Sequence, residues 1–159
     1  MIKIKIIALG RLKEDYLRKA CDEYSKRLSR YCRLEIEELQ PVKLPENPSK
    51  AQIASALEKE AQTIVEKIPK GAQIVPFCVE GEKMSSEKLS DFVLKNVNSG
   101  TAVCFIIGSS YGLDDSIKKL ADLSLSLSPM TFPHQLFRIM CLEQIYRSFK
   151  IIEGSSYHK

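Results

Sequence analysis

Apolar and polar residues follow two regular patterns along this chain of 159 residues. Apolar residues at every second position predict strands, whereas apolar residues three or four positions apart predict helices. Ser49, with Gln52 three residues later, is a capping-box signal for the start of a helix. The patterns predict strands over 2–9, 33–39, 72–79, 101–108 and 122–128, and helices over 12–31, 50–68, 85–97, 114–121 and 133–150.

Because strands and helices alternate, the chain is expected to form an α/β fold: a mainly parallel sheet with helices on both faces. We expect one domain spanning 1–159. In open sheets of this kind, ligands bind where the carboxyl ends of strands lead into loops. Three loops qualify by this rule: EGEKMSS (80–86), GSSYGLDD (108–115) and SLSPMTFPH (126–134).

Composition excludes several classes of protein. The chain is 44% hydrophobic and 28% charged, which is typical of a soluble globular protein. Its start, MIKIKIIALG, is too short and too interrupted by lysine for a signal peptide, and no apolar run reaches membrane-spanning length. We therefore expect a cytoplasmic protein.

Cysteine and histidine usage gives no sign of a disulfide framework or a metal site. The five cysteines are widely spaced with no C-x-x-C pair, and the chain has two histidines. Those in apolar runs are expected to be small core residues. The cysteines are Cys21, Cys32, Cys78, Cys104 and Cys141, of which the last three lie in such runs.

The charge is unevenly distributed although the net charge is only +4. Residues 1–33 hold ten Lys or Arg against four Asp or Glu. A basic segment of this kind suits a bound polyanion. A solvated amphipathic helix at 13–30 explains the charges too, and on charge alone it is the favoured interpretation.

Two of the three loops have features that suit a ligand. Gly108 follows a buried strand and Gly112 comes four residues later, so positive φ and close backbone approach are both available. This is neither a dinucleotide fingerprint nor a Walker A loop, and a turn capped by Asp114 explains it equally well. Pro129 and Pro133 stiffen the third loop, whose Met130 and Phe132 could flank an aromatic ring, or the loop is simply a rigid connector.

The last predicted helix is apolar on more than one side, which favours packing against another subunit. It also carries polar residues of the kind that bind phosphates, bases or carboxylates. For a lone histidine such as His134, a capping or core role is the more common one. These polar residues are His134, Gln135, Arg138, Glu143, Gln144 and Arg147.

The segments FIIGSSYGL, LSLSPMTFPHQL and EQIYRSFKIIEGSSYHK, with ALGRLKEDY and PENPS nearer the start, carry a resemblance that runs the whole length of the chain. They closely resemble the ribosomal large subunit methyltransferase H family, the SPOUT-class 23S rRNA pseudouridine N3-methyltransferases. The resemblance implies a C-terminal trefoil knot, S-adenosylmethionine bound in a bent form, and a homodimer with active sites at its interface. From the composition, we expect no metal and no membrane partner.

The cofactor site implied by the resemblance falls in and beside the predicted loops. One departure is Ser109, where the family usually has a second glycine, and serine at a positive φ would cost about 1 kcal/mol. The implied cofactor residues are Phe77, Gly108, Leu127, Ser128, Pro129, Met130, Thr131 and Phe132.

Methylation at N3 of a pseudouridine requires loss of a weakly acidic proton, for which a base near neutrality would help. His134 and His158 are the candidates by their unperturbed pKa. Tyr157 and His158 belong to a basic tail that is expected to be mobile. The hypothesis is that this tail closes over the flipped base, in its own subunit or on the partner subunit's site. The catalytic residues expected are His158, Tyr157, Arg147 and His134, and the RNA contacts expected are Arg138, Arg18, Lys19, Lys26 and Arg30.

Two other functions stay open at the level of sequence. A non-catalytic ribosome-binding or RNA-binding factor of the same fold would use the basic face alone, and Ser109 is the feature that favours it. A flavodoxin-like nucleotide enzyme would need a phosphate loop that the chain lacks. The modest basic patch mildly favours an assembled ribosome over free rRNA as the substrate.

Overall fold

The computed structural model describes all residues, 1–159, and contains five strands and five helices in strict alternation. This order agrees with the predicted one. The strands are β1 (Ile2–Leu9), β2 (Cys32–Leu39), β3 (Gln73–Lys83), β4 (Val103–Ile107) and β5 (Leu125–Ser126), and the helices are α1 (Asp15–Leu28), α2 (Lys50–Lys67), α3 (Ser86–Ser99), α4 (Asp115–Leu120) and α5 (His134–Ile152).

The strands form one sheet in the order β2-β1-β4-β3-β5, and every paired strand is parallel to its neighbour. The predicted α/β class and parallel sheet are confirmed. Because all strands run the same way, their carboxyl ends lie at one edge. The loops after β3, β4 and β5 are thus brought together by the sheet.

Helices cover both faces of the sheet, as predicted. On one face α1, α3 and α5 pack over a core that includes Ile4, Ile6 and Phe105. On the other face α2 and α4 pack over Ile7 and Ile106. Alternate residues of β1 therefore serve opposite cores, which is the period of two that predicted this strand.

The strand predicted at 122–128 is the clearest error, because β5 has only two residues. Its pairing with β3 is interrupted by an irregularity between Phe77 and Glu82. Residues ahead of β5 are tied to β3 by other bonds: the Asp122 carboxylate accepts the Ile74 N–H at 2.8 Å, and the Asp122 N–H donates to the Ile74 carbonyl at 2.9 Å. Alternating leucine and serine therefore marks a buried connector here rather than a full strand.

Helix starts follow their predicted caps. Ser49 and Gln52 form the reciprocal capping box at α2, and Ser85 caps α3. At α4, Asp114 accepts the Ser116 N–H at 3.0 Å. Pro133 precedes α5 and fixes the direction in which that helix leaves the third loop.

No helix combines the length and apolar character needed to cross a bilayer. The trefoil knot implied by the resemblance stays a prediction.

Candidate active site at the carboxyl edge of the sheet

The main pocket, of about 720 Å³, lies where β4 and β5 end, beside the second half of β3. A volume of this order is typical of a small-molecule or cofactor site. Its walls come from residues 77–80 of β3, from the ends of β4 and β5 with the loops that follow them, from Lys118 of α4 and from the start of α5. The second and third predicted loops therefore meet, whereas the first contributes only Glu80, because β3 continues to Lys83.

Gly108 is fixed by close packing rather than by an unusual backbone angle. A Cβ atom built at Gly108 would lie 2.5 Å from the Gly112 carbonyl oxygen, whereas positive φ occurs at Gly112, with +90°. The Gly112 N–H donates to the Ser109 carbonyl at 2.9 Å and closes the turn. Close packing at Gly108 is thus against the loop's own backbone, and the close approach of a ligand stays a prediction.

Ser109 does not take the strained conformation that its position suggested. No residue other than glycine has a positive φ, so the expected cost of serine is absent. Its hydroxyl instead donates to Glu60 Oε1 at 2.9 Å. Ser109 therefore does not favour the non-catalytic interpretation.

The proline-containing loop presents a mixed surface to the pocket. The Ser128 hydroxyl accepts the Met130 N–H at 3.0 Å, and the Met130 side chain is 74% exposed. Of the eight expected cofactor residues, all but Pro129 line the pocket. Phe77 stacks on Phe105 with ring centroids 5.8 Å apart, which ties the pocket wall to the core.

Two charged side chains line the pocket, Glu80 and Lys118. Lys118 Nζ lies 2.5 Å from Glu80 Oε1. The hydrogen bond from Lys118 lowers the pKa of Glu80, and the same bond raises the pKa of Lys118. Both groups are therefore charged at neutral pH, which places one anion and one cation beside a mainly apolar cavity.

His134, the first residue of α5, is half-buried at the rim of the pocket. A Cβ atom at Gly10 would lie 3.3 Å from His134 Nε2, so the ring packs against the end of β1. Burial lowers the pKa of His134, and the positive charges of Arg138 and Lys13 lower it further. The imidazole is therefore neutral at physiological pH and keeps a lone pair able to accept a proton.

Arg138 was expected to contact RNA, but it is buried, with 3% exposure. Its Nη1 lies 2.5 Å from Glu38 Oε2, and its Nη2 donates to the Gly10 carbonyl at 2.9 Å. Nε has no partner. With its charge bound inside the protein, Arg138 is not available to a phosphate, and we withdraw that assignment.

The tail residues expected to be catalytic form a separate cluster around Glu143. Tyr24 and Tyr157 donate their hydroxyls to Glu143 Oε2 at 2.6 and 2.8 Å, and Arg147 lies 2.7 Å from Glu143 Oε1. His158 Nε2 lies 2.7 Å from Glu87 Oε1, and its Nδ1 lies 3.3 Å from Arg147 Nη1. The tail thus contacts α5 and α3, and its mobility stays a prediction.

Within the protomer the tail cluster does not reach the main pocket. Neither Arg147, Tyr157 nor His158 lines it, whereas His134 does. Between the two regions lies a second pocket, of about 480 Å³, lined by Glu143 and by residues 125–127, which also line the main pocket. One of the four expected catalytic residues, His134, therefore lies at the main pocket, and the other three lie in the tail cluster.

The basic residues expected to contact RNA lie on and just after α1. Lys19 and Lys26 of this helix, and Arg30 two residues beyond its end, are exposed and form no ion pair. Arg18 is engaged within the protein, where it pairs with Asp15 and donates to the Leu12 and Lys13 carbonyls at 3.0 Å. Three of the five expected RNA contacts are thus free at the surface.

Several residues of the site carried little signal in the sequence. Glu60 and Lys118 lie in helices, where charged residues usually indicate a solvated face. Glu80 could have been found because it opens the first of the three loops. Glu143 stood out as a carboxylate in an apolar helix but received no role.

The cysteines are all free, and four are buried. Cys78 is only half-buried and lines the main pocket, so the expectation that it is a core residue is wrong. No group of three or more His, Cys, Asp or Glu side chains is placed to hold a metal ion.

The parallel sheet and the pocket at its carboxyl edge define an α/β protein with a small-molecule site. Comparison with known proteins identifies the family within this class. The model of the family described as "Predicted SPOUT methyltransferase" matches residues 2–158. The chain therefore belongs to the SPOUT methyltransferase family.

Relatives of similar length are named ribosomal RNA large subunit methyltransferase H. Those from Acetivibrio thermocellus and Clostridium kluyveri are 48% and 50% identical to this chain, and one from Clostridium botulinum is 47% identical. Each match covers 99% of this chain and 100% of the relative. Among solved structures, the SpoU methyltransferase AviRb from Streptomyces viridochromogenes, in complex with AdoMet, matches with a TM-score of 0.46 and 11% identity, covering 93% of this chain and 58% of that one.

Proposed function

We propose that this protein methylates large-subunit ribosomal RNA, with S-adenosylmethionine as cofactor and N3 of a pseudouridine in 23S rRNA as target. The observation that carries the proposal is the full-length match, at 48% identity, to a relative named for methylation of this RNA. Membership of the SPOUT family supports methyl transfer as the type of reaction. The assembled ribosome is the proposed substrate particle, since the free basic residues on α1 are few.

The main pocket suits the proposed cofactor in size and in chemistry. Met130, Thr131 and Phe132 supply apolar and hydroxyl surface for a purine and a ribose. We propose that Lys118 binds the carboxylate of the amino-acid end and that Glu80 binds its ammonium group. S-adenosylmethionine, when bound, supplies the methyl group as an electrophile.

The protein's own residues would prepare the target nitrogen. N3–H of the uracil ring lies between two carbonyls and must lose its proton before the nitrogen can attack. His134 is suited to accept that proton, because its pKa is lowered by burial and it lies at the pocket rim. Arg147 is suited to a carbonyl or phosphate of the target, since its guanidinium is only partly buried.

A homodimer with sites at its interface would explain why the tail cluster and the main pocket are separate in one protomer. Leu136 is 40% exposed, and Met140, one turn along α5, is only half-buried. An apolar strip of this kind supports packing against a second copy. In this arrangement Tyr157 and His158 would serve the partner's pocket.

The experiment that tests this function is methyl transfer from labelled S-adenosylmethionine to ribosomes that lack the modification, with free rRNA beside them. We expect label in the large-subunit RNA of the ribosomes, at N3 of a pseudouridine. Cofactor binding without label in either RNA would contradict the proposed substrate. Label in free rRNA alone would contradict the proposed particle.

A further inference from the structure

A buried carboxylate lies directly behind the loop that follows β4. Glu60, on α2, is 4% exposed, and no Lys, Arg or His forms an ion pair with it. Its two oxygens have separate donors: Oε1 accepts the Ser109 hydroxyl at 2.9 Å and Oε2 accepts the Val42 N–H at 2.9 Å. Burying a carboxylate without a cation is costly, and an apolar residue would usually be the more stable choice.

The loop that Glu60 contacts separates two cavities. Residues 109–111 line the main pocket on one side, and on the other side they line a small cavity of about 130 Å³ that also contains Glu60 and Val42. His134 borders both cavities. A displacement of this loop would therefore change the shape of the main pocket directly.

The loop has few other fixed points. Ser110 and Tyr111 are exposed, and their side chains form no hydrogen bond within the protein. The turn is closed by the bond from the Gly112 N–H to the Ser109 carbonyl. Ahead of the buried Leu113, Ser109 is thus the residue of the turn whose side chain binds another element, and Glu60 is the group that it binds.

We propose that Glu60 is a positioning residue for the cofactor site. Through Ser109 it holds the 108–112 turn in the shape that receives S-adenosylmethionine, and through Val42 it couples that turn to the proline-rich segment 40–49. A turn fixed in advance costs less free energy to order on binding. This role rests on the proposed cofactor site and adds a residue that touches neither cofactor nor RNA.

The test is the dissociation constant of S-adenosylmethionine, measured by calorimetry for the full-length protein and its variants. Ser109→Ala and Glu60→Ala should each weaken binding about tenfold, as expected for loss of a hydrogen bond to a charged group. The double variant should bind no more weakly than Glu60→Ala, because both changes remove the same contact. Glu60→Gln, which keeps an acceptor, should lose roughly threefold.

Glu58→Gln is the matched control, because Glu58 is an exposed carboxylate on the same helix. It should bind the cofactor as the wild type does. Melting temperatures separate the positioning role from a purely structural one: lower melting temperatures with unchanged cofactor affinity in Ser109→Ala and Glu60→Ala would overturn the proposal. If Glu60→Ala does not fold, Ser109→Ala decides alone.

Different binding results would contradict the proposed cofactor and the proposed role of Glu60. A wild-type protein that does not bind S-adenosylmethionine would overturn the cofactor assignment, and the positioning role with it. A wild-type protein that binds, with Ser109→Ala and Glu60→Ala binding equally well, would overturn only the role of Glu60.

Discussion

The main pocket and the tail cluster are built in different ways. The pocket is formed by backbone turns and apolar side chains at the ends of three strands, with two charged residues in its lining. The tail cluster is a network of side chains, in which Glu143 binds Tyr24, Tyr157 and Arg147. The first depends on the sheet, and the second depends on hydrogen bonds between a helix and a tail.

This difference predicts how each region responds to substitution. A site made by backbone packing should be lost when a single atom is added in the wrong place. A site made by side chains should lose its chemistry while the cofactor still binds. Cofactor binding and turnover therefore distinguish the two regions.

The largest effect is expected for Gly108→Ala. The new Cβ would lie 2.5 Å from the Gly112 carbonyl oxygen, and backbone cannot move aside as a flexible side chain can. We expect cofactor binding to be abolished in calorimetry. Ser55→Ala, at an exposed position on α2 away from the pocket, should bind normally, and retention of binding by Gly108→Ala would show that the turn is not part of the site.

Next is the ion pair between the buried Arg138 and the exposed Glu38. Arg138→Met leaves the Gly10 carbonyl and Glu38 without their partner, so we expect about 2 kcal/mol less free energy of unfolding in urea. Arg27→Met, which removes an exposed pair with Glu23, should cost less than about 1 kcal/mol. Unchanged stability with weakened RNA binding would restore the RNA contact that burial argues against.

In the tail cluster, His158→Ala should lower turnover about a hundredfold, which is typical for loss of an acid–base group. Because His158 does not line the main pocket, the dissociation constant of the cofactor should stay within about twofold. Ser156→Ala, an exposed neighbour, is the control for tail packing. Loss of cofactor binding in His158→Ala would mean that the tail supports the pocket rather than the reaction.

The contrast between the regions also explains what could be predicted from the sequence. The alternation of strands and helices predicts a parallel sheet, whose strands all end at one edge. The proximity of Phe77, Gly108 and Met130 follows from this arrangement. The position of Arg138 could not be predicted, because its contacts are with the Gly10 carbonyl and the Glu38 carboxylate, which are 128 and 100 residues away in the chain. The role of Glu60 could not be predicted either, because its partner Ser109 is 49 residues away in the chain.

A smaller effect concerns His134 and pH. Since burial holds its folded-state pKa below the usual value near 6.5, the unfolded chain binds a proton first as the pH falls. Folding stability from this group is therefore present above the unfolded pKa and is lost as the pH drops through it towards the folded pKa. Urea midpoints at about pH 7.5 and about pH 5 should differ less in His134→Gln than in the wild type. An equal difference in both proteins would show that His134 is not shielded from water.

The smallest effect is expected for the exposed basic residues of α1, which lie outside both regions. Lys26 is exposed and unpaired, so a contact with an RNA phosphate would be screened by salt. Lys26→Ala should reduce the slope of log affinity against log salt by about 0.7 to 0.9, the value for one phosphate contact. Lys59→Ala makes the same charge change on α2, on the other face of the sheet, and should leave the slope unchanged. If the wild-type protein binds RNA with no dependence on salt, α1 is a solvated helix and the specificity must come from the pocket and the tail.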